Sequence, residues 1–125
     1  MEFNDGSYEV IGAAMEVHKE VGPGLREKPY ENALAIALRN KGLQPEQQRA
    51  YPIFFKDQIV GDCIPDITVN SGILIDVKSI DKIGDNEIAQ MLNYLRIAKF
   101  KLGLVINFKN SKLEFKRVVL GQSNE

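Results

Sequence analysis

The chain has one cysteine and one histidine in 125 residues. A lone cysteine, Cys63, excludes an internal disulfide and any zinc site built on several thiolates. His18, the single histidine, has no cysteines near it with which to complete such a site. Long apolar stretches are missing too: the longest are a few residues, far short of the roughly 20 that a membrane-crossing helix needs. Met1-Glu2-Phe3-Asn4-Asp5 has neither the basic start nor the apolar middle of a signal peptide. No excess of either charge exists, since 16 Lys and Arg meet 17 Asp and Glu for a net charge of −1. Many strong nucleic-acid binders are basic, but an enzyme that turns over its polymer need not be, least of all where a metal supplies positive charge. No repeat or low-complexity segment is present. What remains is one ordinary globular domain, 44% hydrophobic and 26% charged, spanning 1–125 and expected in the cytoplasm, with Cys63 a buried thiol. A domain of this size buries roughly two-thirds of its unfolded surface and needs no staples.

Apolar spacing predicts a first helix from Ser7 to Val21, with Val10, Ala14, Val17 and Val21 as its stripe and Ile11 and Met15 beside them. Asp5 or Ser7 can cap its start, and Gly22-Pro23-Gly24 ends it. A second helix starts near Arg26 or Lys28 and reaches Lys41, burying Tyr30, Ala33, Leu34, Ala37 and Leu38. Pro29 fits only in its first turn, which puts Glu27 at the helix start, and Gly42 closes it. Strands follow over Arg49 to Lys56, Ile59 to Val69 (interrupted around Pro65) and Ile73 to Ser79. Pro52 confines the first of these to an edge or a bulge. A third helix over about Asn86 to Lys99 buries Ile88, Met91, Leu92 and Leu95, and strands over Leu102 to Asn107 and Leu113 to Leu120 complete the pattern. Gly121 to Glu125 reads as a frayed tail. The order ααβββαββ implies an α/β fold with a mixed sheet flanked by helices. Its first three strands are antiparallel, and a right-handed helical crossover follows the central strand.

The central strand, Ile73-Leu74-Ile75-Asp76-Val77-Lys78, carries the chemistry. A run of branched apolar residues reads as a strand buried on both faces, where an unpaired charge is costly. Alternation puts Asp76 and Lys78 on one face. Asp66 lies on the preceding strand, across the short Asn70-Ser71-Gly72 turn. Two carboxylates close together repel strongly in a low-dielectric site, and Mg²⁺ or Mn²⁺ resolves that through oxygen ligands. The Val77 carbonyl is a further oxygen for such an ion. Lys78 would then orient or deprotonate a water, or neutralise an oxyanion. The plainer alternative is a strand end whose charges pair with their neighbours.

Glu27 has a sufficient structural role as an acid at a helix N-terminus, and Glu31, one turn on, competes with it as a candidate. Gln90 and Tyr94, spaced i, i+4, share one face of the third helix. They read either as a polar flank or as an amide and a phenol that position Lys78 or a phosphate. His18 reads as a partly buried, hydrogen-bonded histidine. Lys99, Lys101, Lys109, Lys112, Lys116 and Arg117 read as mixed solvated surface rather than a binding patch.

Pro65-Asp66 followed by Asp76-Val77-Lys78 resembles the PD-(D/E)xK nuclease signature. Gln90-Met91-Leu92-Asn93-Tyr94 resembles the QxxxY motif of its RecB-like branch. Gly24-Leu25-Arg26-Glu27-Lys28-Pro29-Tyr30, led in by Val17-His18-Lys19-Glu20-Val21-Gly22-Pro23, is similar to the motif of the GxxExxY proteins of that superfamily. The resemblance runs from about Val10 to Val119. It implies a restriction endonuclease-like fold and a metal-dependent nuclease. Glu27, Asp66, Asp76 and Lys78 would form the site with Gln90 and Tyr94 in support, and Asp66, Asp76, Val77 and Glu27 would serve Mg²⁺ or Mn²⁺. The implied partner is nucleic acid, DNA first, and a nuclease this small often needs a homodimer to grip it. Two positions depart from the pattern: many relatives have Glu where this chain has Asp76, and an arginine where it has Ile64. The competing function is a catalytically silent module that binds nucleic acid or protein on the same fold. A purely structural subunit with salt-bridged acids is a third reading.

Overall fold

In the computed structural model, residues 5–121 are described, so the expectations for Met1 to Asn4 and for the tail beyond Gly121 fall outside them. The first helix, α1 (Ser7–Val21), keeps its expected bounds. Its N-cap is Gly6 in a left-handed conformation (φ 96°), while the Asp5 carboxylate accepts the Ser7 N–H at 3.0 Å. Val10, Ile11, Ala14 and Val17 are buried, whereas Met15 and Val21 are exposed. The apolar stripe therefore covers less of the helix than the spacing suggests. α2 (Glu27–Asn40) places Pro29 in its first turn and buries Tyr30, Leu34, Ala37 and Leu38.

Seven strands appear among the described residues: β1 (Pro45–Gln47), β2 (Tyr51–Phe55), β3 (Gln58–Cys63), β4 (Ile67–Val69), β5 (Ile73–Lys78), β6 (Leu102–Asn107) and β7 (Glu114–Val119). β1 is an addition to the expected order, too short to show a period of its own. The long strand expected over Ile59 to Val69 is two, β3 and β4, broken around Pro65, which has no N–H for a ladder. β1, β4, β5, β6 and β7 form one sheet in that order, and β2 with β3 forms a separate two-stranded ribbon. β5 pairs antiparallel with β4 and parallel with β6, from Ile73 opposite Leu102 to Lys78 opposite Asn107. α3 (Asp85–Ala98) supplies the crossover.

The sheet lies between two apolar layers. Ile73, Ile75 and Val77 of β5 join α1 and α2 in one core. Leu74, one residue out of phase, joins Met91 and Leu95 of α3 and Tyr51 and Cys63 of the ribbon in the other. Period-two alternation therefore sends Asp76 and Lys78 to the α3 side. Gly103 on β6 sets how closely α3 approaches, because a Cβ there would collide with the buried Met91 side chain. Gly103→Ala is expected to cost about 1–3 kcal/mol by overpacking, read as a lower urea midpoint with an unchanged slope.

Candidate active site

The site begins at a fault in the β-ladder. β1 and β2 follow one another across Gln48–Ala50, opposite the Ile64–Asp66 gap between β3 and β4. There the Gln48 N–H donates to the Asp66 carbonyl at 3.0 Å. Gln48 has φ 59°, a left-handed conformation that costs a residue with a side chain about 1–2 kcal/mol. Irregularities of this kind re-aim side chains. Here the Asp66 side chain reaches β5, where its Oδ2 accepts the Val77 N–H at 2.8 Å.

Asp76 and Lys78 meet beside it. Lys78 Nζ lies 3.0 Å from Asp76 Oδ2, and the two side chains are 19% and 7% exposed. Burial first, and then the charge of Asp66, push the Asp76 carboxyl up to about 7 against the pull of Lys78. For Lys78, burial favours loss of the proton, but Asp76, Glu27 and Asp66 together outweigh it and hold the ammonium above its ordinary range. Lys78 stays charged.

α3 completes this face. Lys78 Nζ donates to Gln90 Oε1 at 3.1 Å, and Gln90 Nε2 donates to the Tyr94 hydroxyl at 2.9 Å. An ammonium has no acceptor, so it fixes which end of the amide faces it. The amide then gives its N–H to Tyr94, which leaves the phenol proton for another acceptor. Burial, and then the Asp76 charge, raise the Tyr94 pKa, so the phenol keeps that proton.

Glu27 approaches from the start of α2, where its charge reaches Lys78. Its carboxylate accepts the Ser79 N–H at 3.2 Å, one residue beyond Lys78, and Ser79 Oγ donates to the Leu25 carbonyl. Tyr30 shapes this approach: its hydroxyl donates to the Gly22 carbonyl at 2.6 Å and accepts the Leu25 N–H at 3.0 Å. Its ring stacks on Phe108 with centroids 4.6 Å apart. Gly24 turns the chain at φ 87°, a conformation glycine adopts freely. Gly24, Glu27 and Tyr30 thus dock the start of α2 against the end of β5. Among the described residues, no three of His, Cys, Asp and Glu are grouped to hold one ion. Asp66 and Asp76 adjoin one another, and Glu27, engaged at Ser79, acts with them on Lys78.

Glu31 and Gln48 belong to the surroundings of the site. Glu31 is 3% exposed, pairs with Lys28 at 3.2 Å, and accepts from Gln47 at 2.7 Å and from Gln48 at 3.0 Å. Gln48 Nε2 also faces Asp66 Oδ1 at 3.5 Å. The sequence carries no short-range signal for Gln48, whose importance comes from contacts 17 and 18 residues away. His18 is half-buried, with Nε2 2.8 Å from the Asn110 carbonyl, and Cys63 is a buried free thiol. Within the basic C-terminal group, Lys109 pairs with Asp81 and Arg117 with Asp5. No helix among the described residues is long and apolar enough to cross a membrane.

A family model described as the PD-(D/E)XK nuclease superfamily matches residues 4–118. Among solved structures, the crystal structure of SSO0001 is similar, with a TM-score of 0.60 and 11% identity over 78% of this chain. That likeness concerns the fold, and the match takes in 52% of the other chain, about half its length. No curated protein matches.

Proposed function

Because the chain belongs to the PD-(D/E)XK nuclease superfamily, with its mixed sheet in a restriction endonuclease-like arrangement, we propose that it is a metal-dependent nuclease that hydrolyses phosphodiester bonds in nucleic acid, DNA first. Within the superfamily we place it with the GxxExxY proteins, on Gly24, Glu27 and Tyr30 and the docking they perform. The observation that carries the reading is the buried Asp76 carboxyl, with the half-buried Asp66 and a charged lysine at its side. Salt-bridging alone does not account for the pair, since one lysine faces two carboxylates and Asp76 stays raised to about 7.

The donor set fits a hard divalent cation: Asp66, Asp76 and the Val77 carbonyl offer oxygen only, as Mg²⁺ and Mn²⁺ prefer. A bound ion at such a site supplies a more acidic water and charge stabilisation on the phosphate. The chain's own groups do the rest. The Val77 N–H holds one oxygen of Asp66. Lys78, kept protonated, orients the attacking water and neutralises charge on the phosphate. Gln90 fixes the Lys78 ammonium, and the Tyr94 hydroxyl offers its proton to a phosphate oxygen. Glu27, at the start of α2, would bind a second ion or hold the first through water.

The test is a panel of labelled single- and double-stranded DNA and RNA with Mg²⁺, Mn²⁺ or chelator. Cleavage of at least one substrate is expected with metal and none with chelator. Cleavage that persists in chelator overturns the reading. No cleavage together with no Mn²⁺ heat in calorimetry replaces it with the silent binding module.

A further inference from the structure

We infer that Gln48 is a positioning residue that holds Asp66 in place by tying it to the buried Glu31 on α2. The inference rests on the reading of Asp66 as an ion-binding carboxylate. Three observations converge on Gln48. Its backbone N–H grips the Asp66 carbonyl at 3.0 Å. Its side-chain amide donates to both oxygens of Glu31, at 3.0 and 3.1 Å, and faces Asp66 Oδ1 at 3.5 Å. Its φ of 59° is a conformation glycine would adopt without strain.

Glu31 is a firm anchor. It is buried, and Lys28, Gln47 and Gln48 all donate to it, so its charge is compensated and its position fixed. Asp66 Oδ2 is held from the other side by the Val77 N–H. The Gln48 amide therefore restrains the oxygen that Val77 leaves free, with a neutral donor that does not compete with a cation as an ammonium would. The same link joins Asp66 to α2, which carries Glu27, so the two acids keep one spacing.

Gln48→Gly and Gln48→Asn separate positioning from mere structural support. Glycine relieves the backbone, and asparagine tolerates the left-handed region but is one methylene too short to span Glu31 and Asp66. Both variants are expected to melt within a few degrees of the parent. Mn²⁺ affinity by calorimetry is expected to fall about tenfold or more. Hydrogen exchange at the Val77 amide is expected to quicken about tenfold, while the Leu104 amide on β6 keeps its rate. Unchanged affinity and unchanged Val77 exchange in either folded variant overturn the inference, as does exchange that quickens equally at Val77 and Leu104. A parent protein that binds no Mn²⁺ defeats the nuclease reading instead, and Val77 exchange then decides the role of Gln48 by itself.

Discussion

Asp76→Asn is expected to abolish cleavage and Mn²⁺ binding while making the protein more resistant to urea at pH 8. The two effects share one cause. Asp76 is buried beside Asp66, and its carboxyl is pushed from 3.8 up to about 7. The unfolded chain ionises this group near pH 4 and the folded one near pH 7, so across that interval the folded protein binds the extra proton. Stability then falls as pH rises from about 4 to about 7 and levels off above, the reverse of an ordinary salt-bridged carboxylate. The full effect of such a shift is on the order of 4 kcal/mol. Asparagine removes it but also takes a partner from Lys78, whose charge still faces Asp66 and Glu27. The net gain at pH 8 is therefore set at about 1–2 kcal/mol, vanishing near pH 4. Urea titrations of parent and variant at pH 4 and 8 read it directly. A difference that does not change with pH removes the buried-acid account, and cleavage by the variant at the parental rate identifies a contaminating nuclease.

Lys78→Met is expected to separate chemistry from ion binding. The ammonium sits 3.0 Å from Asp76 Oδ2, where it competes with a cation for the same oxygen. Methionine keeps most of the apolar stem and removes the charge. Mn²⁺ affinity should hold or tighten at a pH high enough to ionise Asp76 without Lys78. Single-turnover cleavage should fall about 10²- to 10³-fold, the usual cost of losing one preorganised group that stabilises developing charge. The Asp76 carboxyl, freed from its cation, should titrate higher than about 7, which moves the onset of Mn²⁺ binding to higher pH. Equal losses of affinity and rate would make Lys78 a support for the acids and no more.

The sequence exposed the site unevenly. Asp76 and Lys78 were legible because strand alternation is local, and the salt bridge and shared face follow from it. The Lys78–Gln90–Tyr94 line was legible as one helix face plus a crossover, since each part is set by spacing along one element. Glu27 was legible as a helix-start acid, but its attachment to Ser79 spans 52 residues and no local pattern carries it. Glu31 stood only as a competitor to Glu27, and Gln48 had no signal. β1 was missed because three residues cannot display a period.

What the sequence determined by itself is the three helices, the strands other than β1, their order, and the placing of Asp76 and Lys78 on one face of β5 with Asp66 just before β4. These depend on side-chain periodicity and on glycine and proline, which act within a few residues. The tertiary structure decided which acids stand together, that Asp76 titrates near 7, and that Gln48 spans Glu31 and Asp66. Burial and charge–charge energies are sums over groups that meet only when distant segments pack, so no window along the chain contains them.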